Sequence, residues 1–282
     1  MKDTMWSEGW RRLRARRSAV LALAVLALVA LAAILVPWLS PYDYATPAWT
    51  RIFTPPTLRA GQIFGTDALG RDLLVRVMWG CRISLLVGIA ASLISVAIGV
   101  AWGVTAGFLG GRVDGLLMRT VDVLYSVPFI PFVIVLEVLF GRHFLLVFVA
   151  IGAVSWLDIA RIVRGQTLGI SAQEYIAAAR ALGVAAPALI WRHVLPNLIG
   201  LVVVYATLTI PSVILFEALL SFLGLGVQAP LASLGSLVSE GANEMQANPY
   251  LLAFPALLLA LIVLCFNRLG DALRDALEAH HD

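Results

Sequence analysis

The chain has 282 residues, 61% of them hydrophobic and 13% charged, against roughly 45–50% and about 25% in water-soluble domains; a soluble globular fold is excluded. The 17 acidic and 20 basic residues leave a net charge of +3, and Lys2 is the only lysine. A P-loop and Schiff-base chemistry both need a lysine, so neither is expected in this chain, and any ATP that drives it binds elsewhere.

Residues 1–18 form a basic segment in which Trp6, Trp10, Leu13 and Arg17 recur at helical spacing. That pattern fits an interfacial helix and equally an ordinary basic flank. A bilayer core of about 30 Å takes roughly 20 mainly apolar residues per helix, and six such runs follow: 19–36, 83–108, 121–140, 144–159, 198–220 and 251–266. The first, behind Arg16 and Arg17, has the flank of a twin-arginine export signal. Its 18 uncharged residues exceed the apolar part of a signal peptide, about 7–15 residues, and five more runs follow it.

Residues 37–82 are expected to form an external loop. Within them, 70–82 alternate Leu73, Leu74, Val77 and Met78 with Arg71, Arg76 and Arg82, the pattern of a helix lying on the membrane surface. The second span carries Gly88, Ser92, Ser95, Gly99, Gly103 and Gly107, mostly four apart, giving a face that a neighbouring helix can approach closely. The third contains Asp122, placed to meet Arg119, and Glu137, placed to reach water at the outer end. At the end of the fourth, Asp158 precedes Arg161 by three positions, so both share a helix face and are expected to form a structural ion pair.

Residues 160–197 break the apolar pattern without losing helical character. Ser171 is placed to cap a helix with Glu174 in its first turn and an alanine-rich body; Gly183 stops it. Pro187 opens a second helix that runs to Pro196. On the residues alone, this hairpin is either a plain connection or a rigid lever for a partner. The fifth span carries Pro211 and Glu217. Glu217, near its far end, is a candidate for a translocation path or a subunit contact. An external loop, 221–250, and a tail, 267–282, complete the chain.

With the N-terminus inside, the inner segments hold Lys2, Arg11, Arg12, Arg14, Arg16, Arg17, Arg112, Arg119, Arg161, Arg164, Arg180, Arg192, Arg268 and Arg274, while the outer ones hold Arg51, Arg59, Arg71, Arg76, Arg82 and Arg142. The excess of inner positive charge predicts that both termini are cytoplasmic. Cys81 and Cys265 show no ligand spacing, and His143, His193, His280 and His281 are scattered, so no catalytic or metal constellation results. The expected fold is all-α, a polytopic membrane protein of six spans.

The stretch Glu174-Tyr175-Ile176-Ala177-Ala178-Ala179-Arg180-Ala181-Leu182-Gly183, with Pro196 downstream, resembles the EAA loop of ABC importer permeases. Aligned on Gly183, the motif's alanine pair falls on Ala178 and Ala179 and its Leu-Pro on Leu195 and Pro196. Ala177 occupies the glutamate position, with Glu174 one turn earlier, and His193 the isoleucine position. Gly65-Thr66-Asp67, Gly70-Arg71-Asp72, Arg82-Ile83-Ser84-Leu85 and Asn267-Arg268-Leu269-Gly270-Asp271 are similar to the peptide and nickel branch of that family. Ser155-Trp156-Leu157-Asp158, Arg161-Ile162-Val163-Arg164-Gly165-Gln166, and Phe216-Glu217 running on to Gly226 resemble the C-type membrane subunit of oligopeptide permeases.

The resemblance implies the type I ABC importer permease fold in a bacterial inner membrane. It implies a second homologous permease, two cytosolic ATPases that bind ATP and Mg, and an external peptide-binding protein. It also implies a peptide substrate, with no cofactor, catalysis or nucleic acid on this chain. The hairpin residues Glu174, Ala177, Ala178, Ala179, Gly183, His193, Leu195 and Pro196 would then be the ATPase-coupling site. Dipeptide, nickel-chelate and glutathione cargo stay open. An ion-coupled secondary transporter is the alternative of another class; such proteins show repeats and broken helices, neither of which the sequence displays. An intramembrane hydrolase would need a nucleophile or metal cluster, and none is apparent.

Overall fold

The computed structural model describes residues 11–57, 61–141 and 144–278. Lys2, Trp6, Trp10, Arg59, Arg142, His143, His280 and His281, which figure in the expectations above, lie outside the described residues. The described residues build a bundle of helices and contain no β-strand.

Helix α1, Arg17–Leu39, buries only Ala19, Ala22, Leu26 and Ala33, a single stripe; the rest of its apolar surface faces outward. Pro37 lies inside it and has no N–H for the carbonyl of Ala33. Arg82 supplies the missing donors: Nε and Nη2 reach Ala33 O at 3.2 and 2.9 Å, and Nη2 reaches Ile34 O at 3.2 Å. One arginine thereby completes the backbone of a neighbouring span, which a membrane otherwise leaves unsolvated. Its guanidinium also lies over the Trp79 ring, 4.6 Å from the centroid, and Trp79 stacks on Tyr44.

Helix α2, Leu73–Leu109, runs for 37 residues, about 55 Å at 1.5 Å per residue. Residues 70–82 are therefore not a separate surface helix, as their alternation suggests. Leu73, Val77 and Cys81 point into the core, while Arg71 and Arg76 are held by the Asp67 carboxylate and Arg82 by carbonyls of α1. Farther along, Gly99, Gly103 and Gly107 let α2 lie directly against α5, Phe144–Ser171. A Cβ at Gly103 would come within 2.5 Å of Ala160 O, and one at Gly107 within 2.7 Å of Thr167 Cβ.

The third span is not continuous. It is two helices, α3 (Gly111–Tyr125) and α4 (Phe129–Phe140), bent by 83° at the break. Pro128 disfavours helical geometry at Val127, and Ser126 closes α3 by donating its N–H to Asp122 O and its hydroxyl to Val123 O. The ion pairs also differ from expectation. Arg161 Nη2 donates to Asp122 Oδ1 at 2.8 Å and its guanidinium covers the Tyr125 ring, so Asp122 meets Arg161 and not Arg119. Asp158 is exposed and is not the partner of Arg161. Arg164 grips Asp114 with two hydrogen bonds, Nε to Oδ1 at 2.5 Å and Nη2 to Oδ2 at 2.6 Å. Tying α3 to α5, a neighbour in space, uses the reach of arginine better than pairing within one helix.

Beyond α5 come α6 (Glu174–Ala181), α7 (Ala186–Leu189), a π turn (Ile190–Val194) and α8 (Leu195–Phe222). The last three form one unbroken helical rod, Ala186–Phe222, so the second helix of the expected hairpin does not stop at Pro196 but is the start of the fifth span. The loop 221–250 contains a further helix, α9 (Leu234–Asn243), opened by a capping box of Ser233 and Ser236. The sixth span and tail are likewise one helix, α10 (Tyr250–Glu278).

Two cores result. At the end where α2 begins, Leu73, Val77, Ile214, Leu234, Leu237, Leu251 and Ile262 join α2, α8, α9 and α10 and meet Leu26 and Ala33 of α1. At the opposite end Val104, Phe108, Ile159, Val163, Leu189, Val194 and Leu198 join α2 and α5 to the rod. The hairpin projects from this second end.

Candidate coupling site

Helix α6 is the short arm of the hairpin. Its N-cap is Gln173, without a side-chain cap, so Ser171 is not the cap: it is the last residue of α5. Glu174 stands in the first turn and Arg180 in the last, where each complements the helix dipole. Arg180 also covers the Phe108 ring at 4.6 Å. Ile176, fully buried, pins α6 into the cluster of Phe108, Val163, Leu189, Val194 and Leu198.

The turn that follows has Gly183 at φ +81°. Val184 N–H donates to Ala179 O at 3.1 Å and Gly183 N–H to Arg180 O at 3.0 Å, the paired bonds of a Schellman stop, whose left-handed residue favours glycine. Pro187 then sits in the first turn of α7, where its missing N–H leaves no helix bond unmade.

Pro196 poses the same problem inside a helix, and the π turn answers it. Leu195 N–H bonds five residues back to Ile190 O, a wider register that accommodates the proline. Asn197 locks this geometry from the side. Its Nδ2 donates to His193 O at 2.6 Å and to the Tyr175 hydroxyl at 3.3 Å, so it joins α8, the π turn and α6. The Tyr175 and His193 rings face one another at 5.9 Å.

The expected coupling residues therefore gather in one projection. Glu174, Ala177, Ala178 and Gly183 are exposed, Ala179 is half-buried, and His193, Leu195 and Pro196 stand on the facing rod. Leu182, at 85% exposure, and Trp191, at 73%, flank a platform of alanines: a rigid, small-residue surface with large apolar groups at its edges. Ile176 and Asn197 were missed by sequence reasoning. The signal for Ile176 was a lone large apolar side chain in an alanine run; for Asn197, only its place after Pro196.

Glu217 belongs elsewhere and does not line a path. It is fully buried, accepting from Ser84 Oγ at 2.8 Å and Ser221 Oγ at 2.7 Å. Ser84 Oγ in turn accepts from Leu234 N–H at 3.2 Å. The carboxylate is thus the centre of a knot joining α2, α8 and the start of α9, with each of its oxygens accepting a serine hydroxyl. Beside it, Asp67 Oδ2 accepts from Arg71 Nε at 2.7 Å and Arg76 Nη1 at 2.6 Å, and Arg76 reaches Glu240 on α9 through two further bonds. The stretch 65–72 is a buried clasp of the loop onto α2.

A family model described as "Binding-protein-dependent transport system inner membrane component" matches residues 99–280, which include the hairpin. The chain belongs to this family. A second model, "N-terminal TM domain of oligopeptide transport permease C", matches residues 4–56. The oligopeptide transport system permease protein OppC of Escherichia coli strain K12 is 52% identical over 275 residues, covering 98% of this chain and 91% of the relative. OppC of Haemophilus influenzae is 48% identical over 275 residues, 98% of this chain and 88% of its own. A solved structure titled "Inward facing conformations of the MetNI methionine ABC transporter" superposes with a TM-score of 0.57 at 21% identity, over 72% of this chain and 96% of that one. That likeness speaks to the fold, an ABC importer permease. The expected family and fold class are thus borne out, and the chain is a multi-pass membrane permease subunit.

Proposed function

We propose that the chain is one of two permeases of an ATP-driven importer of oligopeptides, with the hairpin of α6 and the π turn as the seat of a cytosolic ATPase. The observation that carries this is the projection itself: an exposed alanine platform on α6, packed through buried Ile176 onto the rod that runs unbroken into the span α8. A force applied to Ala177 and Ala178 on α6 reaches the rod across the Gly183 turn through the buried packing of Ile176 against Leu189, Val194 and Leu198 and the hydrogen bond between Asn197 and Tyr175. Both termini are then cytoplasmic. A second permease completes the path, which a polar peptide backbone needs because hydrocarbon does not solvate it. ATP and Mg are bound by the two ATPases, an external binding protein delivers the cargo, and this chain carries no catalytic step. The names of the most similar relatives support oligopeptide cargo. The broken third span is a feature shared with secondary transporters, but the family match favours the ABC reading.

The test is assembly of the purified permeases with their ATPases in vesicles. Replacing exposed Ala178 with Arg places a charge on the platform; ATPase co-purification and peptide uptake should both fall at least about tenfold, with the chain still folded. Uptake that persists without ATP on a proton gradient sinks the proposal.

A further inference from the structure

At the hairpin end of the bundle, α5, α8 and α10 line a half-open cavity of about 470 Å³, within the range of about 300–1,000 Å³ that small-ligand sites occupy. Ile162, Leu201 and Leu277 give it apolar walls, while Gln166, Asn197 and Tyr205 give it a carboxamide from each of two helices and a phenol. Arg274 also lines it. Among the described residues, the exposed Gln166 carboxamide and the half-buried Tyr205 hydroxyl make no hydrogen bond within the chain, which leaves both open to a ligand or to water. Asn197 is the wall residue already fastened to Tyr175 and His193.

We propose that this cavity is a subsite for the peptide main chain near the cytosolic end of the path, and that Asn197 makes its wall move with the coupling hairpin. The inference rests on the proposed function above. Groups that both donate and accept, set among apolar walls with one guanidinium, match a ligand whose constant feature is a row of amides and whose side chains vary. An amide leaving water needs such partners, since unpaired burial is costly. A lipid tail has no use for them. The link through Asn197 joins the cavity wall to α6 by its hydrogen bond to the Tyr175 hydroxyl and to the π turn by its bond to His193 O, so tilting α6 pulls on the wall.

The test uses the full complex in nanodiscs. Cys81 and Cys265 are buried, so a cysteine introduced by Leu201→Cys is the reactive one in this chain, and its modification by a maleimide is timed with and without tetra-alanine. Peptide at twice its Kd leaves one site in three open, so labelling should slow about threefold. A control cysteine at exposed Leu116 should be unaffected. Adding Gln166→Leu and Tyr205→Phe should abolish the protection while ATPases remain bound. If Leu201→Cys does not assemble, Ile162→Cys reports from the opposite wall. Labelling that is slow but indifferent to peptide means a lipid fills the cavity and overturns the proposal, as does unprotected labelling in a preparation that imports tetra-alanine. Absence of any ATP-driven peptide import by the wild type overturns instead the function on which it rests.

Discussion

Asp72 caps α2 by accepting the Val75 N–H at 2.9 Å, and its burial pushes the carboxyl pKa up, opposed by the N–H groups of Val75 and Leu74 and by the charge of Arg51. A raised pKa means that the fold favours the protonated form. The stabilising contribution is therefore complete below the unfolded value of 3.8 and is lost as pH rises through the folded one. At neutral pH the cap is useful for its shape more than its charge, and Asn has the same shape. Asp72→Asn should leave thermal stability in detergent nearly unchanged, whereas Asp72→Ala should cost about 1 kcal/mol. A second pair separates two kinds of glycine. At Gly103 a methyl would collide with the backbone of α5, while at Gly165 it would meet nothing within 4 Å. Gly103→Ala is expected to destabilise by about 1–3 kcal/mol and Gly165→Ala to be neutral or stabilising by up to ~1 kcal/mol. Equal melting temperatures for the two variants would contradict the close approach of α2 and α5.

The hairpin shows which parts of an element a sequence discloses. Gly183, the alanine run and Pro187 each carry local chemistry, a left-handed stop, a helix former and a first-turn residue, and all three are used as their chemistry predicts. Ser171 and Pro196 misled because their roles depend on what surrounds them. Serine caps only if the chain turns there, and α5 continues through Ser171. Proline ends a helix only if no wider register takes up its missing bond, and the π turn does so. Glu217 and Asp158 failed for a related reason: an ionisable residue in a span declares that it needs a partner, not which one. The partners of Glu217 come from Ser84, 133 positions away, and from Ser221. The anchoring of α6 rests chiefly on one side chain. Ile176→Ala should remove about 2–4 kcal/mol from that packing and loosen the hairpin locally. Hydrogen exchange should accelerate across 172–185 while α2 and α8 keep their protection; acceleration throughout would mean that Ile176 holds the bundle rather than the hairpin.

At the scale of the whole molecule, each of the six hydrophobic runs falls on a helix or on the bent α3–α4 pair, and among the described residues four helices, or five with that pair counted as one, are long and apolar enough to cross a membrane. The runs did not reveal where helices end, since α2 and α10 continue as helices well past their apolar stretches. Nor did they reveal that the third span breaks while the proline-bearing first, fifth and sixth do not. The two ends of the bundle are also held together differently. Away from the hairpin, the knot around Glu217 and the clasp of Asp67, Arg76 and half-exposed Glu240 join α2, α8 and α9 through buried and part-buried polar bonds whose partners lie on different elements. Sliding any of these helices would strand several buried groups at once, each costing about 1–3 kcal/mol. Helix α4, by contrast, buries only Val133, and its joint with α3 is already open. The block of α2, α8 and α9 should therefore move as one body during transport, with α4 shifting against it. Spin labels on exposed Leu86 of α2 and Asn243 of α9 should keep their separation within about 2 Å between nucleotide-free and ATP-trapped complexes, while labels on Asn243 and Val138 of α4 should change by more than that. A change in the first distance as large as in the second would show that the buried ties are broken in each cycle, and the division into block and moving arm would fail.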